Sequence, residues 1–104
     1  MIITNIENVP GRESVESLGL VMGSTVMSKH VGRDIAAGLK SIFGGELRGY
    51  SELLEEGRAT AVERMKEEAA KLGADAIVNV RLTTSSITQG ASELLAYGTA
   101  VKFK

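Results

Sequence analysis

The segment Leu94–Lys104 restricts the possible folds of this chain more than any other stretch. Leu95, Tyr97, Thr99, Val101 and Phe103 alternate with Leu94, Ala96, Gly98, Ala100 and Lys102, which is the twofold period of a β-strand. Both sets are largely apolar or small. A strand that is apolar on both sides needs cover on both sides, from its own chain or from a partner. The 104 residues suffice for one small domain, 1–104, of a size that buries about two-thirds of its unfolded surface. A large multidomain enzyme is excluded.

Three more strands are expected. Met1–Ile6 is rich in Ile and Thr and ends in Asn8-Val9-Pro10-Gly11, where Pro and Gly favour a turn. Leu18–Ser28 alternates imperfectly, with Leu20, Met22 and Val26 on one face; Gly19 and Gly23 point to a bulge or a close backbone neighbour. In Ala76–Thr84, Ala76, Val78, Val80 and Leu82 alternate with Ile77, Asn79, Arg81 and Thr83. The polar stretch Ser85–Ser92 is expected to connect the last two strands as a hairpin loop.

Two helices lie between. Ile35, Leu39, Ile42 and Phe43 form one stripe of a helix from about Val31 to Phe43, closed by Gly44-Gly45. A longer helix spans Ser51 to Leu72, with Ser51 as N-cap and Gly73 as stop. Its core stripe reads Leu54, Ala61, Met65, Ala69 and Leu72, with Val62 at the edge. Glu52, Glu55 and Glu56 crowd its first turns, and the spacing pairs Glu67 with Lys71 and Arg64 with Glu68 on a solvated face. The expected fold class is α+β: a two-layer sandwich with two helices on one face of an antiparallel sheet. Glycine, alanine and threonine on apolar strands permit close approach of another backbone, so self-association is expected.

Charge and composition exclude several functions. Lys+Arg 12 against Asp+Glu 13 leaves a net charge of −1, with no basic field for nucleic acid. No apolar run approaches the roughly 18 residues needed to cross a bilayer. Met1-Ile2-Ile3-Thr4-Asn5 lacks the basic start of a secretory signal, and the cytoplasm is the expected compartment. With Cys 0, disulfides, thiolate catalysis and cysteine-ligated zinc are absent.

Few residues are left to carry chemistry. His30 is the only histidine, and Asp34 stands four residues later, so a helix starting at His30 would present both to one ion. The alternative is a surface histidine near a helix N-terminus, with Asp34 complementing the dipole, or a hydrogen bond at a subunit contact. Glu63 and Glu67, one helical turn apart, could present two carboxylates to a cation or be plain surface charges; Met27 and Met65 offer thioethers that serve equally as core filler. Glu93 and Tyr97 flank the start of the last strand, where hairpin or interface hydrogen bonding is their ordinary role. Gly44-Gly45 lacks the Lys-Ser/Thr of a phosphate loop and ends a helix instead of opening one. No pair specifies a nucleophile and its base, so an enzyme is not expected.

The block Gly32-Arg33-Asp34-Ile35, then Gly44-Gly45-Glu46-Leu47, Tyr50, Arg64-Met65 and Leu72-Gly73-Ala74-Asp75-Ala76 resembles the YbjQ-like family. The ending Glu93-Leu94-Leu95-Ala96-Tyr97-Gly98-Thr99-Ala100-Val101 and the opening Pro10-Gly11, Leu18-Gly19-Leu20-Val21 and Gly23 are similar to it as well. The resemblance covers nearly the whole chain, with Gly57 and Thr60 where the family tends to have helix formers and Asn79 where Gly is common. It implies small bacterial and archaeal proteins described as heavy-metal-binding, a dodecin-like two-layer sandwich, and assembly into pentameric rings. A ring would multiply one His or Glu into a set of ligands. Three readings stand: an oligomeric binding protein with a metal ion or small molecule at subunit interfaces, its cofactor unknown; a structural or protein-interaction module without ligand; and an enzyme using Asp34, Glu46, Glu63 or Tyr97.

Overall fold

The computed structural model describes residues 1–28 and 48–104. The expected helix over Val31–Phe43, its Gly44-Gly45 cap, and His30, Asp34 and Glu46 lie outside the described residues. The elements are β1 (Ile2–Ile3), β2 (Val15–Ser28), α1 (Arg48–Lys71), β3 (Ala76–Thr88) and β4 (Ala91–Phe103). They form one sheet in the order β1-β3-β4-β2, with α1 on one face. The α+β class holds, but the sheet is mixed. β4 runs antiparallel to both neighbours, whereas β1 lies parallel to β3. A parallel pair needs a crossover connection, and the long excursion through β2 and α1 supplies it.

α1 packs on the sheet through Gly57, Ala61, Met65 and Ala69, every fourth residue. Ala61, Met65 and Ala69 are fully buried with Val21, Ile77, Ala96 and Ala100. Leu54 and Leu72, expected in the core, are 39% and 49% exposed. A row at spacing four drifts by about 40° per step around a helix with 3.6 residues per turn. Continued one step beyond each end, the row reaches positions 53 and 73, about 100° around the helix from Leu54 and Leu72, and the half-buried Leu53 takes the position instead of Leu54.

The two glycines of β2 have separate causes. Gly19 adopts φ +102 beside a register shift between Ser17 and Gly19, a bulge that turns Leu18 onto the core. At Gly23 a Cβ would collide with the Met65 nitrogen and the Ala61 carbonyl oxygen and would stand 2.7 Å from the Arg64 carbonyl carbon. Strand and helix backbones therefore touch there. Gly57 makes the reciprocal room, since a Cβ on it would meet Leu94 Cδ1 at 2.6 Å.

The helix already includes Arg48, three residues before its expected start. Ser51 thus lies inside it, and Glu52, Glu55 and Glu56 fall beyond its first turn. Its end follows the expectation: Gly73 has φ +77, Ala74 N donates to Ala69 O at 3.1 Å, and Gly73 N donates to Ala70 O at 3.0 Å. These two bonds make a Schellman cap. Asp75 then accepts the Phe103 N–H at 2.8 Å through Oδ2, extending the ladder by a side chain where β3 starts.

β3 does not alternate as its sequence suggests. Asn79 has φ 54, and the pairing shifts between Val78↔Thr99 and Arg81↔Tyr97, so Asn79 and Val80 together oppose Gly98. Ala76 and Val78 face away from the helix, while Val80, past the bulge, packs against the helix-side core. The extra residue reverses the facing of everything after it. The same bulge shapes the N-terminal segment. Only Ile2–Ile3 is regular strand, yet Thr4 N donates to Ile77 O, Val80 N to Thr4 O and Asn79 N to Ile6 O, each at 3.0 Å. The expected loop Ser85–Ser92 shrinks to the turn Gln89-Gly90 because Ser85, Ser86 and Thr88 keep pairing, with Ile87 at a register shift: β3 continues to Thr88 and β4 starts at Ala91.

Gly23→Ala should lower stability by about 3 kcal/mol or more, because backbone on the opposing side cannot swing away; a thermal melt reads this, and an unchanged midpoint would contradict the close contact. Asn79→Gly should stay within about 0.5 kcal/mol of the parent, whereas Asn79→Val should lose about 1–2 kcal/mol to left-handed strain. Urea unfolding of the two variants checks the pair.

Candidate functional site

Among the described residues, the face of the sheet opposite α1 is covered at one end only. There the turn Val9-Pro10-Gly11-Arg12, closed by Arg12 N donating to Val9 O at 2.9 Å, folds over the strands. Val9 is buried with Ala76, Val78 and Val101, flanked by Val15 and Phe103. The Arg12 guanidinium stands 5.0 Å from the centre of the Phe103 ring. Beyond that small cluster no described residue covers the face.

Pairing register places Met22 opposite Tyr97, Leu20 opposite Thr99, Ser24 opposite Leu95 and Val26 opposite Glu93. Paired residues of an antiparallel ladder share a face. Leu20, Met22 and Val26 are 64%, 49% and 60% exposed there, with Leu95 and Tyr97 half-buried beside them. Strand alternation had placed those three β2 residues on one face, and they remain together. Tyr97 pairs opposite Met22 of β2 on one side and Arg81 of β3 on the other. Arg81 is engaged elsewhere: its Nη1 donates to the carbonyls of Asn5 at 2.8 Å and Val80 at 3.0 Å, tethering the N-terminal segment.

The other candidate residues are dispersed. Glu63 and Glu67 are exposed on α1, across the sheet from the face that carries Tyr97. Glu63 pairs with Lys66 at 3.4 Å, and Lys71 pairs with Glu68 at 3.1 Å; these contacts at spacing three replace the expected Glu67–Lys71 and Arg64–Glu68 pairs. Arg64 is used otherwise, its Nη1 donating to the Ser24 carbonyl at 2.6 Å. Met65 is fully buried in the helix-side core and Met27 packs toward Gly57, so both serve as filler. Among the described residues no polar or charged side chain is buried, and no group of three or more His, Asp or Glu could hold a metal ion. His30, Asp34 and Glu46 lie outside the described residues. No described helix is long and apolar enough to cross a membrane.

Sequence reasoning missed the groove along the margin of β2, where Met22, Gly23, Ser24 and Leu95 meet Arg64, Glu67 and Glu68. Its one legible signal was Gly23, which draws the helix onto the strand.

Comparison with known proteins gives a consistent picture. A family model, YbjQ_1, described as "Putative heavy-metal-binding", matches residues 1–104. A UPF0145 protein of Hahella chejuensis is 67% identical over 101 residues, covering 97% of each chain. One from Archaeoglobus fulgidus is 60% identical over 104 residues, covering 100% of this chain and 96% of its own. The crystal structure of a protein of unknown function from Pediococcus pentosaceus, of the DUF74 family, superposes with a TM-score of 0.70 at 16% identity. That superposition covers 100% of this chain and 98% of the other and shows a shared fold.

Proposed function

The chain belongs to the YbjQ-like family, and we propose that it is a homo-oligomeric binding protein of the cytoplasm, a pentameric ring holding a metal ion or small ligand where subunits meet. The observation that carries this reading is the apolar face of the sheet that the described residues leave exposed. Leu20, Met22 and Val26, beside Leu95 and Tyr97, make a continuous patch of a kind that small monomers seldom leave in water. Every copy of the chain carries the same patch, so a second copy is the most economical cover.

The family description sets a chemical requirement. Borderline and soft metal ions select imidazole or thiolate, whereas carboxylates suit harder ions. With Cys 0 and His 1, the imidazole of His30 is the best donor this chain can offer, with Asp34 beside it in sequence. One histidine cannot complete a four-coordinate shell, so neighbouring subunits must share the ion. Binding without catalysis fits the separation of Glu63 from Tyr97 on opposite sides of the sheet. A second reading, a ligand-free module that recruits another protein, is favoured by the aliphatic lining of the patch, whose one ionisable carboxylate is Glu93 at its end.

Sedimentation equilibrium at micromolar concentration should show a species several times 11.0 kDa. Met22→Lys should weaken association by about 2 kcal/mol or more by placing a charge in the patch. A monomer that persists on concentration refutes the reading. Titration calorimetry with nickel, copper or zinc should show weak binding that disappears in His30→Ala. Protons compete with the metal for the imidazole nitrogen, so affinity should fall as pH drops through about 6.5. Tight binding that survives the substitution would show that His30 is not the ligand.

A further inference from the structure

Among the described residues β2 holds an outer position in the sheet and runs for 14 residues. An edge strand of that length offers a row of unpaired N–H and C=O groups to any other strand. From Leu20 to Ser28 it contains neither a charge nor a proline, a composition that favours strand-to-strand stacking. The safeguard comes from the helix. Arg64 reaches over the margin, and its Nη1 donates to the Ser24 carbonyl at 2.6 Å. It can do so because Gly23 brings the α1 backbone against the strand at that point.

Which groups lie on the margin follows from parity. Ser24 pairs opposite Leu95, and its carbonyl is used by Arg64, so the polar groups of Ser24 turn away from β4. By the twofold period those of Met22 and Val26 turn the same way. We infer that Arg64 guards the β2 margin, closing it against the addition of a strand from a second copy of this chain. The second copy is the occupant the composition favours. Two β2 strands meeting antiparallel over Leu20–Ser28 bring no like charges together and extend one apolar face. With Arg64 in place, the Ser24 acceptor is taken and the guanidinium lies across the margin beside Glu67 and Glu68, where an incoming strand would have to pair.

The inference stands apart from association through the open face, because margin pairing leaves its own hydrogen-bond signature. Sedimentation velocity across a wide concentration range, with amide hydrogen exchange read at Met22, Ser24 and Val26, tests it on Arg64→Ala and Arg64→Lys. Arg64→Ala should form larger species in which these three amides exchange roughly tenfold more slowly or less. Arg64→Lys, which keeps a cationic donor, should behave as the parent. An unchanged size distribution for Arg64→Ala overturns the inference. Larger species whose three amides exchange at the parent rate overturn it too, since assembly then uses the face. Loss of cooperative thermal unfolding in Arg64→Ala would make the residue a structural tether and overturn it as well.

Discussion

Backbone meets backbone at Gly23, and the rest of the described structure is arranged around that contact. The helix row Gly57, Ala61, Met65 and Ala69 can lie so close to the sheet only because its members are small at the crossing and β2 has no side chain there. Close approach raises the number of van der Waals contacts per unit area, which matters in a domain too small for a deep core. Met65 is the one large helix side chain fully enclosed. It fills the space that the small neighbours leave, a task suited to a flexible thioether.

The two faces of the sheet are served unequally. The helix covers one, and the Val9 turn covers one end of the other. The bulge at Asn79 mediates between them, because it lets β3 place Ala76 and Val78 on the outer cluster and Val80 on the inner one. A regular strand would have left Val80 on the outer face. Among the described residues the outer patch of Leu20, Met22, Val26, Leu95 and Tyr97 is what this division leaves exposed or half-buried.

The candidate site was legible in part. Alternation in Leu18–Ser28 and Leu94–Lys104 places Leu20, Met22 and Val26 together, and Leu95 and Tyr97 together, before any pairing is known. That these two groups adjoin is a matter of the β2–β4 register, which no local signal specifies because α1 and β3 separate the two strands in the chain. Helical spacing correctly put Glu63 and Glu67 on solvent. It chose the wrong ion-pair partners because long exposed side chains settle at spacing three or four for differences of a few tenths of a kcal/mol, below the reach of spacing rules.

Local signals in the sequence determined the elements that depend on one stretch of chain: the Pro10-Gly11 turn, the cap at Gly73, the long helix, the presence of four strands, and the alternation of β4. Each rests on dihedral preference or periodicity, properties a residue carries wherever the chain goes. Tertiary structure decided the parallel placement of β1, the reversal of facing at Asn79, and the exclusion of Leu54 and Leu72 from the core. Those outcomes arise because a twisted sheet and a drifting helical row meet along one line, and which residues fall on it depends on both surfaces at once.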